Sequence, residues 1–107
     1  MKGIVLYNIE LNNCLNGVHT NDDAKGEIFN EIAKPKTKID GNDISGLYYC
    51  AYFENNNNKV VECELKIEVK QGIYEFTWST PKDGDYHKGI GYKMNKTQIA
   101  VSYTDVI

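Results

Sequence analysis

The fold is decided by residues 59–80, which read KVVECELKIEVKQGIYEFTWST. In the first half of this stretch, apolar residues alternate with charged ones, the charged set being Glu62, Glu64, Lys66, Glu68 and Lys70. Alternation with a period of two is typical of a β-strand that buries one face and exposes the other. Gln71 and Gly72 then form a two-residue turn. The stretch therefore predicts a tight antiparallel hairpin with a charged outer surface.

The same alternation recurs along the chain between turns rich in Asn, Gly, Asp and Pro, while helical periodicity is nearly absent. The pattern predicts eight strands, at 3–11, 14–20, 26–33, 44–54, 59–70, 73–80, 86–94 and 97–104. Short turns force neighbouring strands to be antiparallel, because a parallel crossover needs about a dozen residues. The one long connection, at 34–43, separates a meander of three strands from a meander of five.

Length and composition exclude several classes of protein. With 107 residues, 41% of them hydrophobic, the chain forms a single domain spanning 1–107. No apolar run is long enough for a transmembrane helix. A formal net charge of -3 argues against nucleic acid as a partner. The N-terminal apolar stretch is too short for a signal peptide, so we expect a cytoplasmic protein, with secretion left open if a leader was trimmed.

The cysteines and histidines do not suggest a metal site. Cys14, Cys50 and Cys63 are too few and too widely spaced for structural zinc, and His19 and His87 do not complete a site. We expect no metal and no cofactor. In a cytoplasmic protein the thiols stay reduced, although Cys50 and Cys63 face each other across a predicted hairpin in a geometry that a disulfide could use.

Turn lengths predict a register, and the register predicts which side chains face the core. It places Leu65 opposite Trp78, Phe76 opposite Ile90, and Tyr92 opposite Ile99. The predicted core face of the second meander carries Tyr48, Cys50, Tyr52, Val61, Cys63, Leu65, Ile67, Val69, Tyr74, Phe76, Trp78, Tyr86, Ile90, Tyr92, Ile99, Val101 and Tyr103. In the first meander the predicted inward set is Val5, Tyr7, Ile9, Leu11, Cys14, Val18, Ile28 and Ile32.

Eight antiparallel strands with one apolar face must close on themselves or stack as two sheets. We predict a small up-and-down eight-stranded barrel, with a two-sheet sandwich as the alternative. Gly17-Val18-His19-Thr20-Asn21 resembles the opening strand of avidin-like and lipocalin-like barrels (the calycins), with His19 in place of the family's Trp. Ser45-Gly46-Leu47-Tyr48 is similar to the Thr-Gly-x-Tyr of an avidin strand. The resemblance implies barrel geometry, and we infer no ligand from it.

The predicted register gathers a candidate ligand-binding set inside the barrel. Lys88 points inward between Trp78 and Tyr103, where an ammonium group needs a partner, an aromatic face or an anionic ligand. Alternatively, Lys88 reaches out of the rim with its stem on Trp78. Aromatic bodies with a few convergent hydroxyls are typical of small-molecule pockets, and the inward tyrosines that would supply them are Tyr48, Tyr52, Tyr74, Tyr86, Tyr92 and Tyr103.

Asn16 and Asn30 are predicted to face each other inside the first meander, where they either bind a polar ligand or satisfy each other. His19 is predicted to lie outside, opposite Glu27, as a surface pair, and His87 also points outward. No sequence motif of a hydrolase, a phosphate-binding loop or a metalloprotease is present. We therefore expect a protein that is not an enzyme.

Apolar residues also fall on the predicted outer surface, in two stripes: Leu47, Tyr49, Ala51 and Phe53 in one, and Ile4, Leu6, Leu15 and Phe29 in the other. Exposed apolar patches mark protein interfaces, which predicts a homodimer. Two functions remain open at this point. The first is a non-enzymatic barrel that binds a small polar or anionic molecule, and the second is a protein-interaction module of the inhibitor or immunity type.

Overall fold

The chain folds into a closed antiparallel barrel in which each strand pairs with the next and the last pairs with the first. The computed structural model describes residues 1–37, 43–54 and 59–106. The strands are β1 (Lys2–Ile9), β2 (Leu15–Asn21), β3 (Phe29–Pro35), β4 (Gly46–Phe53), β5 (Val60–Lys70), β6 (Ile73–Thr80), β7 (Gly84–Lys93) and β8 (Gln98–Asp105). The predicted eight-stranded up-and-down barrel is confirmed, and the sandwich alternative is wrong.

A search of the described residues for a helix long and apolar enough to cross a membrane found none. The predicted turn at 55–58 lies outside the described residues, as does the segment 38–42 of the long connection.

The predicted register is correct through β4, β5 and β6. Cys50 pairs with Cys63, and Leu65 pairs with Trp78. In β5 the charged residues point outward and Leu65 and Ile67 are buried. Alternation fixes this region because a slip of one residue would exchange its charged face for its apolar one.

The predicted orientation of β7 is wrong. Phe76 pairs with Gly89 and not with Ile90, because the strand pair contains a bulge beside Trp78 and Ser79. A bulge adds one residue to one strand and turns the following side chains to the other face. Ile90, Tyr92 and Lys88 are consequently exposed. The prediction is also wrong by one residue at the next turn, since Tyr92 pairs with Ala100 and not with Ile99. The two errors cancel, so the side chains of β8 point to the predicted sides of the sheet.

The predicted orientations of β2 and β3 are also wrong. The connection after β1 contains a short 3-10 turn, Leu11–Asn13, in which Asn12 and Asn13 have positive φ of 62° and 58°. It is longer than the two-residue turn that we predicted, so Tyr7 pairs with Gly17. The shift turns β2 over, and β3 is turned over with it.

These shifts correct the placement of several predicted residues. Asn16 and Asn30 are exposed and do not face each other, since their partners are Ile32 and Val18. Leu15 and Phe29, predicted as part of an outer stripe, are buried. Val18, Ile28 and Ile32, predicted inside, are exposed. His19 lies inside and pairs with Phe29, so the predicted surface pair with Glu27 does not exist.

Glycines make room for the large rings inside the barrel. A Cβ at Gly17 would lie 2.7 Å from the ring of Tyr7, and one at Gly3 would lie 2.3 Å from the ring of Tyr103. Glycine inside a strand often marks such a close approach. Gly89 and Gly91 approach β8 closely instead, since a Cβ at either position would lie within 2.9 Å of the Val101 side chain.

The barrel has two different ends. One end, where β1 finishes and β2 begins, is filled by fully buried apolar residues and is called here the packed end: Leu15, Ala33, Ile44, Tyr48, Ile67 and Ile99. At the opposite end, where β2, β4, β6 and β8 finish, the inward residues include His19, Glu31 and Tyr52. We call this the polar end, and it holds the candidate site.

Candidate functional site

The polar end contains a cavity of about 330 Å³. Its lining combines aromatic rings, two imidazoles and two carboxyl groups: Met1, His19, Asn21, Glu31, Tyr52, Phe53, Glu54, Trp78, His87 and Tyr103. A mostly aromatic wall with a few polar groups is the usual construction of a small-molecule site, and the volume is at the lower end of the usual range.

Glu31 is the buried acid of the cavity, with an exposed fraction of only 5%. It lies on β3, and its Oε2 accepts hydrogen bonds from the Tyr7 hydroxyl and, at 3.4 Å, from Trp78 Nε1. Burial raises the pKa of Glu31 to about 7, because the charged form loses its hydration, while the bonds from Tyr7 and Trp78 oppose the rise. Near neutral pH this carboxyl group can therefore hold a proton or a negative charge.

His19 contributes a neutral imidazole from β2, the strand that pairs with the strand of Glu31. It is 7% exposed, and its Nδ1 is buried with no hydrogen-bond partner among the described residues. The ring packs edge-on against Tyr52 with centroids 5.7 Å apart. Burial lowers the pKa of His19, since the protonated form would be poorly solvated. A neutral imidazole nitrogen without a partner can serve a ligand as donor or acceptor.

His87 is the second imidazole and lies on β7 directly after the bulge. Its ring lies 4.6 Å from that of Tyr86 and 5.5 Å from that of Tyr103, centroid to centroid. Its Nδ1 is 3.0 Å from Asp105 Oδ1, but the contact lacks the alignment of a hydrogen bond. Burial lowers the pKa of His87 and outweighs the attraction of Asp105.

The aromatic wall is formed by rings that contact one another. Trp78 and Tyr103 are tilted with centroids 5.6 Å apart, and Trp78 also stacks on Phe76. The hydroxyls of Tyr52 and Tyr86 are 3.0 Å apart and hydrogen bonded. Burial raises the pKa of Tyr103, so its hydroxyl stays protonated and remains a donor at neutral pH.

Cys50 and Cys63 lie side by side next to Glu31 and carry free thiols, as does Cys14. A hydrogen bond with Cys63, together with burial, raises the pKa of the Cys50 thiol. The same contact lowers the pKa of Cys63. Within the described part of the chain, no three His, Cys, Asp or Glu side chains come close enough together to hold a metal ion.

The structure brings some of the predicted site residues together and separates others. Trp78, Tyr52 and Tyr103 line the cavity, and Tyr86 bonds to Tyr52 at its edge. Tyr48 lies at the packed end, where its hydroxyl donates to the carbonyl oxygen of Ile44. Lys88, Asn16 and Asn30 lie on the outer surface, so the predicted inward ammonium group is wrong.

Sequence reasoning missed His19, Glu31 and His87 as inward residues. One signal was available: Gly17 precedes His19 by two positions, and Gly89 follows His87 by two. In a strand, residues two apart share a face, and glycine favours the face where another group approaches closely. No comparable signal marks Glu31, whose neighbours in β3 follow no simple alternation.

A second surface feature lies outside the barrel. A groove of about 400 Å³ crosses the outer faces of β1, β2, β7 and β8. Its exposed apolar residues include Ile4, Val18, Ile28, Ile90 and Tyr92, and we call this set the outer apolar face. Ile4 and Leu6 of the first predicted stripe line this groove, whereas Leu15 and Phe29 are buried. Leu47, Tyr49 and Phe53 of the second stripe are exposed as predicted.

The fold and the site define a class: a closed eight-stranded antiparallel barrel with a polar cavity at one end. A scan against protein-family models found no match, and searches of curated proteins and of solved structures found none either.

Proposed function

We propose that this chain is a non-enzymatic protein that binds a small molecule in the cavity at the polar end. The observation that carries the proposal is the cavity itself, in which Glu31, His19 and His87 face a common space walled by Trp78 and Tyr103. Polar groups that are buried without full pairing cost free energy. A ligand that pairs with them offsets this cost, whereas a purely structural core would be expected to be apolar, as at the packed end.

A binding function suits the cavity better than catalysis. The cavity-lining residues that the structure describes include no Ser, Thr, Cys or Lys, four of the residue types that act as nucleophiles. The tyrosine hydroxyls around the cavity are held in the protonated form, because burial raises the pKa of Tyr52 and Tyr103.

The barrel geometry agrees with the calycin resemblance of Gly17 and His19, both of which face the interior. We extend the proposal to a calycin-like binding protein on this ground. The free thiols of Cys50 and Cys63 suit a reducing compartment, which supports a cytoplasmic location.

Trp78 provides a direct test, because it is the only tryptophan in the chain and lines the cavity. A ligand that enters the cavity will change its fluorescence. We expect native mass spectrometry of protein purified from its own host to show a co-purifying small molecule, and we expect the extracted molecule to shift Trp78 emission when added back to stripped protein.

Two tyrosines on β4 make a matched pair of variants. Tyr52→Ala removes a cavity wall and should weaken binding of the extracted molecule at least tenfold. Tyr49→Ala removes an outward ring and should leave the affinity unchanged, since Tyr49 is exposed. Equal effects of the two variants on affinity would contradict the proposed function. So would native mass spectra that show no small molecule bound to protein purified from its own host.

The outer apolar face favours a second function, association with another protein, and a second copy of this chain is the partner that we propose. Ile28 and Ile90 have exposed fractions of 66% and 63%, which is unusual for isoleucine in a monomer. Light scattering should show a dimer at high concentration, and Ile90→Lys should convert it to a monomer. A wild-type protein that stays monomeric at high concentration would exclude the homodimer.

A further inference from the structure

The cavity at the polar end has a consistent electrostatic character. Apart from the tyrosine hydroxyls and the α-amino group of Met1, its ionisable groups are two carboxyl groups, Glu31 and Glu54, and two imidazoles whose pKa burial lowers. The chain contains no arginine, and no lysine is among the lining residues that the structure describes. The α-amino group of Met1 is already paired with Asp105 at 3.0 Å. An anionic ligand would therefore meet carboxylates without a free cationic partner.

The aromatic wall suits a positive charge. Trp78 and Tyr103 line the same cavity as Glu31 with their rings in contact, and Trp78 Nε1 donates to the Glu31 carboxyl group. A cation near such rings is attracted by their negative faces, and most strongly by tryptophan. A buried carboxylate beside these rings adds a full charge and strong hydrogen-bond acceptors.

We propose that the cavity selects a small organic cation of the arylalkylamine class, whose ammonium group pairs with Glu31 while its ring lies against Trp78 and Tyr103. This inference rests on the proposed function and names the chemistry of its ligand. His19 adds a neutral Nδ1, which has no hydrogen-bond partner within the described part of the chain and can accept one further ammonium N–H. The ammonium would stabilise the charged form of Glu31, which burial alone disfavours.

Three probes of nearly equal size test the charge preference: 2-phenylethylammonium, neutral 2-phenylethanol and anionic 3-phenylpropanoate. Isothermal titration calorimetry at neutral pH should show the ammonium probe binding at least tenfold more tightly than the alcohol, with the carboxylate weakest. Hydrogen bonds to charged groups contribute about 1.5–3 kcal/mol, which corresponds to about ten- to hundredfold in affinity.

Glu31→Gln is the decisive variant, because it keeps the shape and a hydrogen-bond acceptor but removes the charge. It should lose most of the preference for the ammonium probe and leave the affinity for the alcohol within about twofold. Glu62→Gln is the matched control, since Glu62 is exposed on the outside of the barrel, and it should change nothing.

Asn21→Lys offers a second variant if Glu31→Gln does not fold. Asn21 lines the cavity, and a lysine there should weaken binding of the ammonium probe and strengthen binding of the carboxylate. To show that each variant is folded, its cooperative unfolding transition and the near-ultraviolet circular dichroism of Trp78 are compared with those of the wild-type protein.

The outcomes separate this inference from the proposed function. Binding of the alcohol or the carboxylate as tightly as the ammonium probe overturns the inference but leaves a small-molecule site in place. Absence of binding by all three probes also overturns it, and the co-purified molecule then decides the proposed function by itself.

Discussion

The two ends of the barrel are built from the same eight strands and differ in what those strands turn inward. At the packed end, Leu15, Ile44 and Ile99 are fully buried. The polar hydroxyl of Tyr48 is satisfied there by the carbonyl of Ile44. At the polar end, Glu31 and His19 are nearly as buried, but the carboxyl group lies in a cavity and Nδ1 of His19 has no hydrogen-bond partner in residues 1–37, 43–54 and 59–106.

Under the proposed function, the two ends of the barrel have different roles. Close-packed apolar side chains stabilise the fold, so the packed end supplies most of the stability. Incompletely paired polar groups reduce stability and persist where a ligand can pair with them. Variants at the two ends should therefore affect different properties, stability at one end and binding at the other.

The largest effect is expected at the packed end. Ile67→Ala should lower the free energy of unfolding by about 2–5 kcal/mol, because the lost side chain leaves a void among buried neighbours. Lys66→Ala, at the adjacent outward position, should change it by less than about 0.5 kcal/mol. Chemical denaturation measures both. A loss of ligand affinity in Ile67→Ala without a loss of stability would break the division of roles.

Glu31→Gln tests the polar end through the pH dependence of stability. The folded-state pKa of Glu31 is raised from 4.5 to about 7, so the folded protein binds the proton more tightly than the unfolded chain. The contribution of Glu31 to stability is therefore fully present below about pH 4.5 and is lost as pH rises to about 7, a change of about 3 kcal/mol.

The glutamine variant lacks this loss, so the difference in unfolding free energy between wild type and variant isolates it. The lowered pKa values of His19 and His87 make stability rise with pH, which is the opposite direction. This contribution is present in both proteins and cancels in the difference. Parallel stability curves from pH 4 to pH 8 would contradict the placement of Glu31.

A pair of buried tyrosines compares the ends directly. Tyr7→Phe removes the hydroxyl that donates to Glu31 and should cost about 1–3 kcal/mol, more at pH 8 than at pH 5, because the acceptor is charged at the higher pH. Tyr48→Phe removes a bond to a neutral carbonyl and should cost about 1 kcal/mol at either pH. An identical pH dependence in the two variants would count against an ionisable partner for Tyr7.

The smallest effect is expected for Lys88→Ala. Lys88 is exposed on the outside of β7, so its removal should change the free energy of unfolding by less than about 0.5 kcal/mol and leave ligand affinity unchanged. Thermal unfolding and calorimetry with 2-phenylethylammonium measure the two quantities. A clear loss of affinity would restore the inward placement that turn lengths predicted.

Much of the fold could be predicted from the sequence, because alternation in residues 59–80 is strong enough to fix which face is buried. The site could be predicted only in part. Trp78, Tyr52 and Tyr103 lie on strands whose orientation was correct. His87 and Lys88 follow a bulge, and a single inserted residue reverses every later side chain without altering the alternation that predicts the strand.

The first hairpin shows a second reason. Asn12 and Asn13 adopt left-handed backbone conformations and lengthen the turn, and the resulting shift brought His19 and Glu31 inside. Loop length was the only information from which their orientation was predicted. The charge of the site is therefore the reverse of the predicted one, because the predicted register places the Lys88 ammonium group beside Trp78 and the structure has the Glu31 carboxyl group there.

The carboxyl carbon of Glu31, followed by NMR during a pH titration with and without 2-phenylethylammonium, tests the central claim most directly. The account predicts a pKa of about 7 in the free protein, because the group is buried at the polar end, and a clear decrease when the cation is bound. An ordinary pKa near 4.5 in the free protein, or a titration that the cation does not change, would contradict it.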